Sequence, residues 1–325
     1  MRGISVIVCC YNSALRLEQT LFHLANQKFS KPINWEVILV NNASTDNTVE
    51  IATIGWKKHF CESANFRIVE QPISGLSNAR KKGVDVAKFD IIVFCDDDNW
   101  LQEEYLEIAY DIMTEKPDVG ALGGNGIGVA DVEFPEWWDD YKGDYAVGKQ
   151  AEGSGYINSR GYVWGAGMVT RKKLFLKCFT AIYPSLLTGR NGEILSSGDD
   201  SEFCFRLLLL NYDLYYEEKL LFTHYITENR LTLDYNEKLL KGHLDAYSIL
   251  YKYKKILDFK NKNFIQKCIH LLKICRQLVE KCLSRTGANK MRIMEELYLN
   301  LKFDFIPCDI DYKKILRFRK AAMKS

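Results

Sequence analysis

Three consecutive carboxylates, Asp96-Asp97-Asp98, follow the apolar run Ile91-Ile92-Val93-Phe94-Cys95. Like charges crowded at the end of a buried strand repel one another unless a cation or a basic side chain compensates them. A divalent metal is the natural partner. Mg²⁺ and Mn²⁺ prefer hard oxygen ligands, and in phosphate-handling sites one or two protein carboxylates share the ion with the substrate's phosphates. An acidic turn that caps the following helix is the plainer alternative, and the strand directly before the triplet counts against it. A second acidic cluster, Ser197-Gly198-Asp199-Asp200-Ser201-Glu202, precedes a helical pattern from Ser201 to Leu210. Asp199 and Asp200 suit a helix start electrostatically, and a helix start also fixes a carboxylate well enough for chemistry. His224 ends a strand-like run, where a lone histidine is most often structural.

The elements that must hold these residues alternate along the first part of the chain. Ile4 to Cys10 is a continuous apolar, β-rich run, as expected of a strand buried on both faces. It ends at Tyr11-Asn12-Ser13. Ser13 is the expected cap of a helix reaching about Gln27, whose Leu17, Leu21, Leu24 and Ala25 fall at helical spacing. Trp35 to Val40 repeats the strand pattern, runs into Asn41-Asn42 and is followed by a helix from near Asn47. A third unit links Phe66–Val69 to Gly75-Leu76-Ser77-Asn78-Ala79-Arg80 and a helix to Ala87, and Asp90–Cys95 is a fourth strand. Such alternation predicts an α/β fold with a mostly parallel central sheet flanked by helices. Ligands of such sheets bind beyond the carboxyl ends of the strands, so the polar loops should border one crevice. Beyond this the pattern loosens into a Gly-rich stretch, Val119–Val129, an aromatic and acidic one, Glu136–Gln150, and strand character from Tyr162 to Thr170. The glycines at 123, 124, 126 and 128 lack the G-x-G-x-x-G spacing, and there is no Walker lysine, which argues against dinucleotide and P-loop sites.

At 325 residues, with 47% hydrophobic residues and only 6 prolines, the chain reads as one large α/β domain with an appendage. Charge divides it at Thr232. Residues 1–232 carry 23 Lys and Arg against 32 Asp and Glu, whereas 233–325 carry 21 against 10. A basic tail on an acidic body points to an anionic partner. The 10 cysteines are scattered, and Cys9, Cys10, Cys95 and Cys204 lie in apolar runs, as buried free thiols of a reducing cytosol do. The apolar run at the start is too short for a signal peptide or a membrane span.

SVIVCCYNSALRLEQTL, EVILVNNASTDNT, GLSNARKKG and DIIVFCDDDNWL, in this order and spacing, resemble the family 2 glycosyltransferases of GT-A fold over residues 3 to about 230. The resemblance implies a catalytic domain over 1–232. Its expected reaction is sugar transfer, with inversion, from a nucleotide-diphospho-sugar, UDP favoured, to a hydroxyl of a saccharide or lipid-linked acceptor in bacterial surface glycan assembly. It also implies roles. Cys10, Tyr11 and Asn12 would border the base and ribose, Asn41 and Asn42 would lie in the loop that reads the base, and Asn78 and Arg80 would lie near the nucleotide. Asp96 and Asp97 would contact the donor, while Asp96, Asp98 and His224 would hold Mn²⁺ or Mg²⁺. Asn41 departs from the family's usual Asp, though an Asn carbonyl can accept the same uracil N3–H. An inverting displacement needs a general base to take the acceptor's proton, and Asp200 is the expected base, with Asp199 second. Trp137, Trp138 and Trp164 are either sugar platforms or core. A catalytically silent binding protein of the same fold is the rival reading, which Asn41 suits and the acidic pair at 199–200 opposes. A nucleotidyltransferase would need a basic Gly-rich loop near the N-terminus, where Cys9-Cys10-Tyr11-Asn12 offers none.

Nothing comparable covers residues 233–325, a Lys-rich and helical region by pattern. In 264–283, Cys268, Cys275 and Cys282 share a face with Ile265, Leu272 and Val279, with basic residues mostly opposite. Heptad spacing sets those cysteines about 10 Å apart along the axis, too far for one zinc. The helix packs on the body, forms a homodimer or lies on an anionic membrane surface. The expected location is therefore the cytoplasm, with peripheral attachment at the inner face of the membrane if the last of these holds; no nucleic acid is expected.

Overall fold

The computed structural model describes residues 1–59, 64–190, 195–259 and 309–323, together with single helical positions at 265, 266, 269, 272, 276 and 279. Cys268, Cys275 and Cys282 lie outside the described residues. The chain forms two compact units, Met1–His243 and Leu244–Ser325.

The first unit is built on a mixed sheet in the order β3-β2-β1-β4-β8-β6-β9-β5, with β7 paired to β9. Strands β1 (Ile4–Cys10), β2 (Trp35–Asn41), β3 (Ala64–Glu70) and β4 (Ile91–Asp96) are mutually parallel. Ile4, Val6, Ile7 and Val8 are fully buried, the double-faced burial that the unbroken apolar run requires. Helices α1 (Leu17–Ala25), α2 (Thr48–Lys58) and α3 (Leu76–Val86) provide the crossovers, and α4 (Tyr105–Glu115), α5 (Trp138–Tyr141) and α6 (Lys172–Cys178) follow along the chain. The chain runs from β1 out to β3 and then returns to place β4 on the other side of β1. This reversal puts a crevice at the carboxyl ends of β1 and β4, where such sheets bind ligands.

The second half of the sheet departs from the parallel pattern. β8 (Val169–Arg171) runs antiparallel to β4 and to β6 (Val119–Val129), and short β5 (Asn99–Leu101) and β7 (Gly155–Tyr156) run antiparallel to β9 (Asp213–Tyr225). The Gly-rich stretch is thus a strand, and of the expected Tyr162–Thr170 strand only its end pairs. Gly124 explains part of the composition, because a Cβ there would come within 2.1 Å of the Leu220 carbonyl oxygen. β6 and β9 approach too closely for a side chain at that point.

Two expected caps are replaced. Ser13 does not cap α1, which begins at Leu17; its carbonyl accepts from Arg16 and Leu17, and its hydroxyl donates to Asp97. The helix expected from Ser201 starts at Asp199 as α7 (Asp199–Leu209), and Gly198, at φ 90°, takes the position before it. A left-handed residue there suits glycine, so Asp199 and Asp200 lie in the first turn. Helix α8 (Leu233–Phe259) begins in the first unit, where Leu239 packs with Trp138, Tyr145, Val147 and Ile226. In the second unit α9 (Ile310–Ala322) is capped by Asp309, which also pairs with Lys252 at 2.8 Å.

Candidate active site

Strand register collects the expected residues in one row. Cys9 lies beside Asp96, Cys10 beside Asn41, and Asn41 beside Glu70. Above the row the loops are bound to each other by side chains. Asn12, with φ 50°, accepts from Thr45 N at 2.8 Å, and its own N–H donates to Ser44 Oγ at 3.0 Å. Asn42 donates to the carbonyls of Gln71 and Ile73 and accepts from Gly75 N, while Asn78 donates to Ser74 O. Asn42 and Asn78 therefore spend their amides on loop structure. Tyr11 is 42% exposed and Cys10 buried, and burial raises the Cys9 thiol to about 12.

The three adjacent aspartates point to different partners. Asp97 turns to α1, where Arg16 grips Oδ1 at 2.9 Å and Oδ2 at 2.7 Å and the Ser13 hydroxyl also donates to Oδ2. Thr20 Oγ1 donates to the Asp97 carbonyl at 2.8 Å. Both carboxyl oxygens of this expected nucleotide contact are thus engaged within the protein. Burial first, and then the neighbouring Asp98 charge, raises the Asp97 carboxyl against the pull of Arg16. Asp98 shifts the opposite way, because His224, Arg230 and Arg16 outweigh its burial and hold it below the usual carboxylate range.

Pairing of β5 with β9 sets Asn99 opposite His224, and the Tyr225 N–H donates to the Asp98 carbonyl. His224 Nε2 then lies 3.4 Å from Asp98 Oδ1, and Arg230 Nη1 donates to Asp98 Oδ2 at 2.8 Å. His224 Nδ1 is 2.7 Å from the Tyr145 carbonyl, which can only accept, so Nδ1 carries a proton. Nε2 faces Asp98 Oδ1 and also lies 3.4 Å from Arg230 Nη1, so the Arg230 guanidinium bridges the carboxylate and the imidazole. Among the described residues no three His, Cys, Asp or Glu side chains converge as a complete metal cage. A pair of protein ligands still fits Mn²⁺ or Mg²⁺ in a phosphate site, where the substrate supplies further oxygens. Asp96 stands apart from this pair, with Arg80 Nη2 at 4.0 Å.

Arg80 connects the acidic groups. Buried against the Phe94 ring, it donates from Nη1 to Asp199 Oδ2 at 2.8 Å while Nη2 faces Asp96. Next to Asp199, Asp200 accepts from Gly165 N at 2.9 Å and from Ser201 N at 2.6 Å. Burial first, and the Asp199 charge second, raises the Asp200 carboxyl, with Arg80 opposing. A raised, fixed carboxylate is the form expected of a general base. Glu202 pairs with Arg206, one helical turn on, at 2.8 Å and accepts from Leu186 N and Leu187 N beneath this helix start.

Of the tryptophans, Trp138 stacks on Phe134 at 4.3 Å within the core. Trp164, beside Gly165, is nearly buried with the Arg160 guanidinium 5.2 Å from its ring, and Trp137 meets the Tyr141 ring edge-on. Reading the sequence did not single out Arg16, Glu70 or Arg230. A lone basic or acidic residue in a loop, at a helix start or at a strand end carries no spacing signal, and each finds its partner through tertiary contact.

The model of "Glycosyl transferase family 2" matches residues 5–178. The chain belongs to this family. This transferase is 24% identical to EpsH of Bacillus subtilis over 251 residues, covering 75% of the chain and 67% of that protein. It is 26% identical to the glycosyltransferase GlyA of Streptococcus pneumoniae, over 75% of the chain and 34% of that protein. A poly-beta-1,6-N-acetyl-D-glucosamine synthase of Staphylococcus aureus is 28% identical over 126 residues, 38% of the chain and 29% of the synthase. The chain thus spans about a third of the length of the last two. Among solved structures, S. aureus TarS matches with a TM-score of 0.52 at 19% identity, over 80% of the chain and 44% of TarS. TarS 1–349 in complex with UDP-GlcNAc matches with 0.52 at 15% identity, over 99% of the chain and 91% of that structure. At these identities the likeness is one of fold.

Proposed function

We propose that this glycosyltransferase moves a sugar from a nucleotide-diphospho-sugar, a UDP-sugar above others, to a hydroxyl of a saccharide or lipid-linked acceptor, with inversion, in surface polysaccharide or glycan assembly. Arg80 carries the reading. One guanidinium lies 2.8 Å from Asp199, beside the base candidate, and 4.0 Å from Asp96, at the end of the strand that leads to Asp98. The acidic helix start and the acidic strand end therefore border one crevice, as a displacement with a base on one side and a diphosphate on the other requires.

In this reading Asp200 takes the proton of the acceptor hydroxyl as its oxygen bonds to C1 and the bond from C1 to the phosphate oxygen breaks. The nucleoside diphosphate departs. Arg80, buried and cationic, stabilises charge on the departing side, and Asp199 fixes its orientation. Asp98 and His224 would hold Mn²⁺ or Mg²⁺, which neutralises diphosphate charge when bound. The TarS complex with UDP-GlcNAc and the name of the S. aureus synthase favour a UDP-linked donor and a polysaccharide product. The basic region after residue 232 would hold the enzyme to anionic lipid at the inner face of the membrane.

Release of nucleoside diphosphate from a panel of UDP-, TDP- and GDP-sugars, with Mn²⁺ and with EDTA, tests the proposal. Turnover should need the metal, and Asp98→Ala should abolish both turnover and metal-dependent nucleotide binding. Full turnover in EDTA would remove the metal assignment, and no turnover with any donor and a broad acceptor panel would count against the reaction itself.

A further inference from the structure

Asn41 and Glu70 are register neighbours at the carboxyl ends of β2 and β3. Asn41 is only 7% exposed, and the two ends of its amide have opposite hydrogen-bonding character. Its Nδ2 donates to Glu70 Oε2 at 2.8 Å, and its Oδ1 accepts from Ser44 N at 3.3 Å. An ionised carboxylate only accepts and a backbone N–H only donates. The amide orientation, otherwise a matter of assignment, is therefore set by chemistry at both ends. A carboxylate at position 41 would accept through either oxygen and would need no such orientation. An amide needs a partner to decide which end is left for a ligand, and Glu70 is that partner. Oδ1 keeps a second lone pair, at the strand end beside Cys10.

We infer that Glu70 sets nucleobase specificity: it holds the Asn41 amide so that the carbonyl is the acceptor offered to the base, selecting a ring N–H such as that of uracil and rejecting cytosine. The corresponding ring nitrogen of cytosine is itself an acceptor and would face the carbonyl lone pair. This rests on the nucleotide reading of the crevice and adds the residue that decides which nucleotide. Glu70 does not touch the reacting atoms; it acts through Asn41.

Calorimetric titration of UDP and of CDP, each with Mn²⁺, into the native protein, Glu70→Lys and Glu70→Gln separates the possibilities. Lysine only donates, so it draws the Asn41 carbonyl to itself and turns the amide nitrogen outward. The native protein should bind UDP at least ~10-fold tighter than CDP, as one matched against one opposed hydrogen bond implies. Glu70→Lys should lower that ratio by ~10-fold or invert it, whatever its added charge does to both affinities. Glu70→Gln, which can accept or donate, should fall between and gives the comparison if the lysine variant does not fold. An equal change for both nucleotides, with the ratio unchanged in folded variants, overturns the inference and leaves the nucleotide site standing. Binding of neither nucleotide to the native protein overturns both.

Discussion

Asp200 accepts from two backbone donors, Gly165 N and Ser201 N, one on each carboxyl oxygen. An asparagine can accept only at its oxygen, so Asp200→Asn leaves one donor facing an NH₂ group and costs about 1–3 kcal/mol of stability. Its kinetic effect is larger. Loss of a general base should lower kcat by ~10²-fold or more while the donor dissociation constant stays nearly unchanged. Weaker nucleotide binding with unchanged kcat would instead make Asp200 a donor-site residue. The pH profile gives an independent check. Only the ionised carboxylate can take a proton, so activity is lost as pH falls through the Asp200 pKa. Because burial and the Asp199 charge raise that pKa, the acid limb of kcat/KM should lie above the ordinary carboxylate range. Asp199→Asn removes the like charge and leaves Arg80 acting on Asp200 alone, so the limb should move to lower pH. A limb that stays fixed in Asp199→Asn would show that another group titrates.

Elements matter here through the precision with which strand ends are held. Asp97, bound to Arg16 on both oxygens and to Thr20 through its carbonyl, fastens the loop after β4 to α1. Asp96 and Asp98 flank that anchor and reach Arg80 and the His224–Arg230 pair. Helix α3, which carries Arg80, lies so close to β1 that a Cβ on Gly83 would be 2.3 Å from Ile7 Cγ2. Gly83→Val should therefore strain this layer, overpacking typically costing about 1–3 kcal/mol. The gain in helix propensity returns well under ~1 kcal/mol, so the net sign is destabilising. The urea midpoint should fall with little change in slope, and Ile7→Ala in the same chain should recover part of the loss through their coupling. An unchanged midpoint would mean that α3 shifts freely on the sheet, and the placement of Arg80 would then lose its physical basis.

For the whole molecule, charge and exposed apolar surface coincide after residue 243. No described helix is long and apolar enough to cross a membrane. Yet Ile265, Ile269, Leu272 and Val279 are all exposed, and their helical spacing puts them on one face. Residues 233–325 carry 21 basic against 10 acidic side chains, and each basic group near an anionic surface contributes roughly 1 kcal/mol. Co-sedimentation should therefore show binding of the full chain to anionic vesicles at low salt, little to neutral ones, and release at high salt. Replacing Ile265 and Leu272 by Ser should weaken it. Residues beyond Thr232 also serve the first unit, because Leu239 belongs to the core around Trp138 and Tyr145. Equal binding to both vesicle types, or none at low salt, would leave the tail as packing or a dimer contact.

The parallel half of the fold and the acidic clusters are legible in the order of the amino acids. Strands β1, β2 and β4 are buried on both faces, so each writes an unbroken apolar run, and each polar loop begins where the run stops. The row Cys10, Asn41, Asp96 follows from those endpoints. What these residues touch depends on contacts between distant parts of the chain. Asp98 meets Arg230 across 132 positions of sequence, and Arg16 meets Asp97 across 81, separations over which no periodicity operates. β6 was illegible for a related reason: where a strand packs against a neighbouring carbonyl, glycine is required and the alternation of side chains disappears. Asn41 reads as a weakened version of an aspartate until Glu70 stands beside it. Register across two strands, set by the whole sheet, gives that amide its direction.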